Sequence, residues 1–156
     1  MKTKKRTRLG KSALRLRNIL VPIDFSENAR QALEYAIPLA NQSGARITLL
    51  HVYRTVVYPA EMGIVVPDGE SQTSAKARKH LIQFGQKMLP EAMRGKMLVR
   101  NGEPFDEISR VARRAKIDLI ICTTHGYTGL KHVVLGSTAE RVVRYAPCPV
   151  LTIRVR

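Results

Sequence analysis

Short apolar segments alternate with longer stretches of helical periodicity along this chain, and no other feature of the sequence constrains the fold as strongly. The apolar segments predict five strands, over residues 18–23, 46–53, 95–100, 117–122 and 149–155. The periodic stretches predict four helices, from Ser26-Glu27 to Ser43-Gly44 and over residues 71–88, 103–115 and 137–145. The predicted element order is therefore β-α-β-α-β-α-β-α-β.

Apolar strands that alternate with amphipathic helices are typical of a parallel sheet covered on both faces. Right-handed crossovers then predict an open, doubly wound α/β fold whose ligands bind beyond the carboxyl ends of the strands. The helical spacing also predicts which residues point inward. These are Ala29, Leu33, Ala36, Ile37 and Ala40 in the first helix, and Phe105, Ile108, Val111 and Ala112 in the third.

Positive charge is concentrated at the amino terminus. The chain of 156 residues has 27 Lys and Arg against 12 Asp and Glu, a net charge of +15. Residues 1–17 contain no acidic residue and the basic residues Lys2, Lys4, Lys5, Arg6, Arg8, Lys11, Arg15 and Arg17. We therefore predict a basic, disordered arm over residues 1–16 and a single domain over residues 17–156. The arm is either a solvated tail or a nonspecific contact with nucleic acid, and it lacks aromatic residues on which bases could stack.

Several classes of protein are disfavoured by motifs that the sequence lacks. No apolar run approaches the length of a membrane span, and no apolar region follows the basic start, so we expect neither a membrane protein nor a secretory signal. Cys122 and Cys148 lack metal-site spacing, and thiols in a cytoplasmic protein are expected. The glycine-rich loops of P-loop NTPases and dinucleotide oxidoreductases are absent, as is the nucleophile elbow of α/β-hydrolases.

The strongest candidate for a binding site begins where the fourth strand ends. A Thr- and Gly-rich loop containing Gly126 follows that strand, and Gly136-Ser137-Thr138 stands immediately before the fourth helix. Glycine lets a ligand approach the backbone closely, and Ser or Thr at a helix start leaves N–H groups pointing at an anion. This pattern predicts a phosphate site without a lysine clamp. The alternative is an ordinary turn at Gly136 and an ordinary cap at Ser137.

These residues resemble the nucleotide-binding signature of the universal stress protein family, which runs Gly, two residues, Gly, nine residues and then Gly-Ser or Gly-Thr. Gly126, the spacing and Gly136-Ser137 match the signature, whereas Thr123 replaces the leading Gly. The resemblance covers residues 17–155. It includes the opening NILVPIDFS over residues 18–26 and the closing APCPVL over residues 146–151.

The resemblance implies a Rossmann-like sheet of order 3-2-1-4-5, in which the first and fourth strands are neighbours. It also implies ATP as ligand, with Mg²⁺ or Mn²⁺ at the phosphates, and a homodimer paired through the C-terminal strand. Val52 would line the adenine pocket. The full set of predicted nucleotide-binding residues is Pro22, Ile23, Asp24, Val52, Cys122, Thr123, Gly126, Gly136, Ser137 and Thr138.

Two of these residues have competing interpretations. Asp24 could bind the ribose, the adenine or the metal ion, or it could be a cap or turn residue of the first helix. Cys122 could touch the nucleobase, although a core thiol is the better interpretation. No residue is predicted to be catalytic. The histidines His51, His80, His125 and His132 lack metal-site spacing, and of these His125 stands near the proposed phosphates.

Three functions follow from these observations. The leading one is a cytoplasmic ATP-binding module with a regulatory or stress-protective role, acting through unidentified protein partners and not at a membrane. The second is a weak ATP hydrolase or phosphotransferase that uses Asp24 and the metal ion. The third is an interaction protein of the same fold, in which Thr123 blocks the nucleotide site.

Overall fold

The computed structural model describes residues 15–55, 69–124 and 135–154, which form one sheet with helices on both faces. The strands are β1 (Asn18–Pro22), β2 (Arg46–Tyr53), β3 (Arg94–Asn101), β4 (Leu119–Thr123) and β5 (Val150–Ile153). The helices are α1 (Glu27–Ser43), α2 (Gly69–Met88), α3 (Pro104–Arg114) and α4 (Ser137–Tyr145). A 3₁₀ turn over Glu91–Met93, which was not predicted, precedes β3.

All neighbouring strands of the sheet run parallel, in the order β3-β2-β1-β4-β5. The predicted fold class and strand order are therefore confirmed, as are the five strands and four helices. β1 lies at the centre, where Leu20 is opposite Thr48 of β2 on one side and Ile120 of β4 on the other. β3 and β5 are the edge strands of the described sheet.

α1 begins and ends where the sequence predicts because both of its ends carry strong local signals. Ser26 is the N-cap, and its hydroxyl accepts a hydrogen bond from the backbone N–H of Ala29 at 3.2 Å. Gly44 ends the helix in the left-handed conformation, with a φ of 71°. Glycine adopts this conformation without the penalty that a Cβ atom would bring.

β4 begins at Leu119 rather than at residue 117, and it extends to Thr123. The side chain of Asp118 explains the later start. Its Oδ2 accepts hydrogen bonds from the backbone N–H groups of Arg17 at 2.8 Å and Asn18 at 2.9 Å. Lys116, two residues before Asp118, is left-handed with a φ of 49°. The chain therefore turns over residues 116–118 and joins the start of β4 to the start of β1.

The core has two layers because successive strand residues point to opposite faces of the sheet. On one face Val21 and Leu49 pack with α1 and α2, and on the other Leu20 and Leu50 pack with α3 and α4. Burial on both faces explains why residues 19–21 of β1 and 119–122 of β4 are apolar without alternation.

The predicted inward residues of α1 and α3 all contribute to this core. All are buried except Ile37 and Phe105, which are partly buried and pack against it. Leu16, at the end of the predicted arm, also packs against the core. Within the described residues, no helix combines the length and the apolar character that crossing a membrane requires.

A bulge interrupts the pairing of β3 with β2. Ile47 is opposite Arg94, but Leu49 is opposite Met97, so β3 contains an extra residue between these pairs. Gly95 lies in this bulge, and a Cβ atom there would lie 2.8 Å from the carbonyl oxygen of Ile47. The two backbones can approach this closely because residue 95 has no side chain.

Gly95→Ala should therefore lower the free energy of unfolding by about 1–3 kcal/mol, because the added methyl group meets rigid backbone. Gly85→Ala is the contrasting variant, since its methyl group would meet side chains only, the end of Met97 and Leu49 Cδ1 at 3.2 Å, and would gain helix propensity. Urea denaturation of the two variants measures the difference. An unchanged free energy of unfolding in Gly95→Ala would show that the approach of β3 to β2 does not depend on Gly95.

Candidate functional site

A cavity opens at the carboxyl edge of the sheet, where β1 and β4 lie side by side, with a volume of about 250 Å³. The structure brings most of the predicted site residues together around it. These are Pro22, Ile23, Asp24, Val52, Cys122, Thr123, Gly136, Ser137 and Thr138. Gly126, together with His125 and His132, lies outside the described residues.

The turn after β1 is organised by the carboxylate of Asp24. Its Oδ1 accepts hydrogen bonds from the backbone N–H of Ser26 at 3.0 Å and from the Ser26 hydroxyl. Ser26 is the residue that caps α1, so Asp24 is a turn aspartate that orients the cap rather than the cap itself. Asp24 thus has a structural role and also lines the cavity.

Phe25 keeps this turn in an unusual backbone conformation. Its φ of 61° lies in the left-handed region, which costs a bulky residue about 1–2 kcal/mol. Its ring stacks on His80 of α2, with centroids 4.1 Å apart and planes inclined by 11°. The ring also meets Phe84 edge-on at 6.1 Å. These contacts offset the strain, so α2 helps to fix the turn that carries Asp24.

His51 of β2 supports the same turn. Its Nδ1 lies 2.7 Å from the carbonyl oxygen of Ile23, and Nδ1 carries the proton because a carbonyl oxygen only accepts. The backbone N–H of Ile23 donates to the carbonyl oxygen of Leu50 at 2.8 Å. Ile23 therefore has both backbone groups bonded and forms a fixed part of the cavity wall.

α4 begins at the cavity, with Gly136 as its N-cap residue. The N–H of Gly136 donates to the carbonyl oxygen of Thr124 at 2.6 Å, which ties the start of α4 to the end of β4. Within the described residues no side chain caps this helix, and Ser137 and Thr138 are exposed. The first turn of a helix carries partial positive charge on its N–H groups, so this end of the cavity suits an anion.

Glycine at position 136 is not required by the backbone conformation. Its φ of −66° and ψ of 150° are open to any residue. The absence of a side chain is therefore what this glycine contributes at the cavity wall.

Another part of the cavity wall is apolar. Leu50, Ile108 and Val142 reach it from the core layer beneath α3 and α4. Burial raises the pKa of the Cys122 thiol to about 11. The thiol is therefore protonated at neutral pH and forms part of the wall, which agrees with the interpretation of Cys122 as a core thiol and not a nucleophile.

Three charged residues link the chain beyond β2, the start of α3 and the outer face of α4. Glu103 pairs with Arg54 at 3.1 Å and lies 3.9 Å from Arg141. The guanidinium carbon of Arg141 lies 3.4 Å from the centre of the Phe105 ring. These exposed contacts join segments that flank Pro104, a residue that lines the cavity.

The described residues contain no group of three or more His, Cys, Asp or Glu side chains that could hold a metal ion. Asp24 is the carboxylate that the described part of the chain contributes to the cavity lining. A metal ion at this site would therefore need most of its ligands from a bound molecule or from water.

Several lining residues were not among the predicted site residues, namely Ala29, Leu50, Pro104, Ile108, Thr124, Ala139 and Val142. Ala29 and Ile108 were predicted only as inward residues of their helices. The topology supplies the missing signal. In a doubly wound fold the first turns of the helices follow the carboxyl ends of the strands, so their inward residues lie at the cavity.

The parallel sheet and the cavity between the ends of β1 and β4 define a small doubly wound α/β domain. The comparison with known proteins identifies the family. The chain belongs to the universal stress protein family, whose model matches residues 15–154.

Individual relatives show the same similarity. The universal stress protein YxiE of Bacillus subtilis is 32% identical over 144 residues, which cover 87% of this chain and 97% of that protein. The structure of universal stress protein UspA from Lactobacillus plantarum superposes with a TM-score of 0.71 at 32% identity, covering 90% of this chain and 99% of that one.

Two more distant structures share the fold and were solved with nucleotides. The Arabidopsis thaliana protein At3g01520 with AMP bound has a TM-score of 0.61 at 24% identity and covers 90% of this chain and 92% of its own. A universal stress protein in complex with cAMP has a TM-score of 0.64 at 19% identity and covers 89% and 97%.

Phe25→Ala should lower the free energy of unfolding by about 1–3 kcal/mol, because it removes the ring contacts while the left-handed backbone remains. Tyr35→Ala is the control, since Tyr35 is an aromatic residue of α1 whose side chain is 57% exposed. Denaturant unfolding measures both. A loss at Phe25 no larger than that at Tyr35 would show that the stack on α2 does not support the turn.

Proposed function

We propose that this universal stress protein binds ATP and has a regulatory or stress-protective role rather than a catalytic one. One observation carries the proposal: a single cavity brings together an apolar wall, the carboxylate of Asp24 and the start of α4. These are the three environments that a base, a ribose and a chain of phosphates require.

Each part of the nucleotide has a matching part of the cavity. The base would lie against the apolar side chains of Val52 and Cys122, and the ribose hydroxyls would donate to Asp24. The phosphates would lie at Gly136–Thr138, where helix N–H groups and two hydroxyls supply donors. The nucleotides in the two distant structures support an adenine nucleotide as the class of ligand. The helix start favours ATP, which has the longer chain of phosphates.

A divalent ion such as Mg²⁺ or Mn²⁺ fits this proposal as a companion of the phosphates. Such ions prefer oxygen ligands, and phosphates with water can supply most of them. Asp24 is the protein oxygen donor that we propose for the ion. It is also the residue through which the metal would affect nucleotide affinity.

We propose binding without rapid turnover because the candidate reactive groups among the described cavity residues are poorly placed for it. Cys122 is protonated at neutral pH. The Oδ1 atom of Asp24 already accepts two hydrogen bonds from Ser26. Phosphoryl transfer needs cations and a base positioned around the transferring group. A turnover assay with ATP and Mg²⁺ separates this proposal from the hydrolase alternative.

Gly136→Val should weaken ATP binding by more than about tenfold, because it places a branched side chain where the phosphates are proposed to lie. Ala146→Val is the matched control. Ala146 is the C-cap of the same helix, with a φ of −63° and a ψ of 142°, so valine enters the same backbone conformation at the far end of α4. Isothermal titration calorimetry with ATP measures both folded variants. Unchanged affinity in Gly136→Val would contradict the phosphate assignment.

The wild-type protein also distinguishes ATP binding from the interaction-protein alternative. The chain contains no tryptophan, so co-purified nucleotide raises the ratio of absorbance at 260 nm to that at 280 nm clearly. Absence of both co-purified nucleotide and ATP binding would overturn the proposal. ATP binding gained in Thr123→Gly would then identify Thr123 as the blocking residue.

We further propose that two copies pair through β5. Leu151 is 37% exposed on this edge strand. The carbonyl oxygens of Pro149 and Ile153 accept hydrogen bonds from Ile120 of β4 and from Thr124 just beyond it. In a parallel pair, alternate residues direct their backbone groups to the same neighbour. The backbone N–H and C=O groups of Leu151 therefore point to β4, whereas those of Val150 and Thr152 point to the open edge.

Thr152→Pro should shift the protein from dimer to monomer with little loss of stability, because the N–H that it removes faces the open edge. Leu151→Pro is the contrasting variant, since it removes a hydrogen bond within the sheet and should destabilise the fold. Sedimentation velocity at micromolar concentration measures assembly, and thermal denaturation measures stability. A wild-type monomer would rule out this mode of pairing.

A further inference from the structure

A second concave surface, which we call the basic groove, lies between β3 and α3. It has a volume of about 130 Å³ and shares no lining residue with the cavity at the ends of β1 and β4. Its charged residues are Lys96 and Arg100 from β3 and Glu107, Arg110 and Arg114 from α3. Four basic side chains therefore surround one acidic side chain.

The position of β3 explains why its wall of the groove is basic. Met97 and Val99 pack against the core layer beneath α1 and α2, whereas Leu98 packs against the opposite layer. Lys96 and Arg100 lie on the same face as Leu98 because side chains alternate along a strand. α3 packs mainly on β2 and α4, so this outer face of β3 remains open between the strand and the helix.

The wall formed by α3 is ordered by an ion pair. Arg110 and Arg114 are one helical turn apart, about 6 Å along the axis. Arg110 donates to the buried carboxylate of Glu107 at 2.8 Å and also pairs with Asp106. The single positive charge of Arg110 is thus shared between two carboxylates, and the bond to Glu107 holds the guanidinium in place.

The other three cations are available for an external anion. Lys96, Arg100 and Arg114 are exposed, and their side chains make no ion pair among the described residues. Two of them lie on the strand and one on the helix, so unpaired positive charge faces the groove from both walls. An isolated lysine on a flat surface would not produce this arrangement.

We propose that the basic groove binds the phosphodiester backbone of nucleic acid. A phosphodiester chain is a regular line of negative charges, which complements a groove with two unpaired cations on one wall and one on the other. The described lining contains no aromatic residue, so the groove offers no stacking platform and should bind without regard to sequence. The net charge of +15 adds a long-range attraction for the same ligand.

The geometry keeps this activity separate from nucleotide binding and from pairing. The groove lies at the β3 edge, and β5 lies at the opposite edge of the sheet. Pairing through β5 leaves the groove open. Because the two sites share no lining residue, loss of ATP binding would not affect this proposal.

The test compares two double variants of the full chain with the same loss of charge. Lys96→Gln with Arg114→Gln removes one positive charge from each wall of the groove. Lys76→Gln with Lys79→Gln removes two positive charges from exposed lysines of α2. A short fluorescein-labelled oligonucleotide, single-stranded and as a duplex, is titrated by anisotropy at several salt concentrations. The groove variant should bind about tenfold more weakly at low salt, and the salt slope should fall by about one for each lost contact.

The α2 variant should retain most of the affinity and the salt slope of the wild type. Equal losses in both variants would overturn the proposal, because net charge or the basic arm would then account for binding. Unchanged binding in the groove variant would also overturn it. Polyglutamate is the second probe: a groove variant that loses only polyglutamate binding would assign the groove to acidic proteins instead. Circular dichroism confirms that both variants are folded.

Discussion

The structure depends on the parallel pairing of β1 with β4 at the centre of the sheet. The helices that follow these two strands pack on opposite faces, α1 on one and α4 on the other. The segments that leave the carboxyl ends of β1 and β4 therefore turn to opposite faces of the sheet, and the cavity lies between them. At the amino ends of the two strands, the Asp118 carboxylate accepts hydrogen bonds from the backbone N–H groups of residues 17 and 18 and so links the start of β4 to the start of β1.

Much of the site consists of backbone held in place by distant side chains. His51 bonds to the carbonyl group of Ile23, and Phe25 reaches across to α2. The bond between Gly136 and Thr124 joins the start of α4 to the end of β4. The part of the site that the structure describes therefore consists mainly of backbone donors and apolar surface, and the proposed binding role rests on these.

The sequence predicts those elements whose signals are local. Ser26 and Gly44 give the ends of α1 because cap chemistry needs only neighbouring residues. Most of the predicted site residues do line the cavity. The sequence could indicate them because strand ends and the glycine motif mark their positions, and the family resemblance supplies the strand order.

The features that could not be predicted depend on contacts between distant parts of the chain. The left-handed backbone of Phe25 depends on rings more than 50 residues away in α2. The later start of β4 depends on bonds from Asp118 to residues about 100 positions earlier. The extra residue in β3 reflects how closely Gly95 approaches Ile47. No periodicity in the sequence indicates such contacts.

The bulge in β3 also bears on how far assembly can proceed. A sheet with two regular open edges offers a head-to-tail route to filaments, because each added copy exposes a new edge. In this sheet the bulge and the charged side chain of Lys96 interrupt one edge, so an incoming strand would meet a broken row of backbone groups. Among the described strands, β5 is the edge that stays regular. If copies pair through β5 as proposed, they leave no second regular edge for growth, so the proposed association would end in a closed pair and would not continue into a fibre.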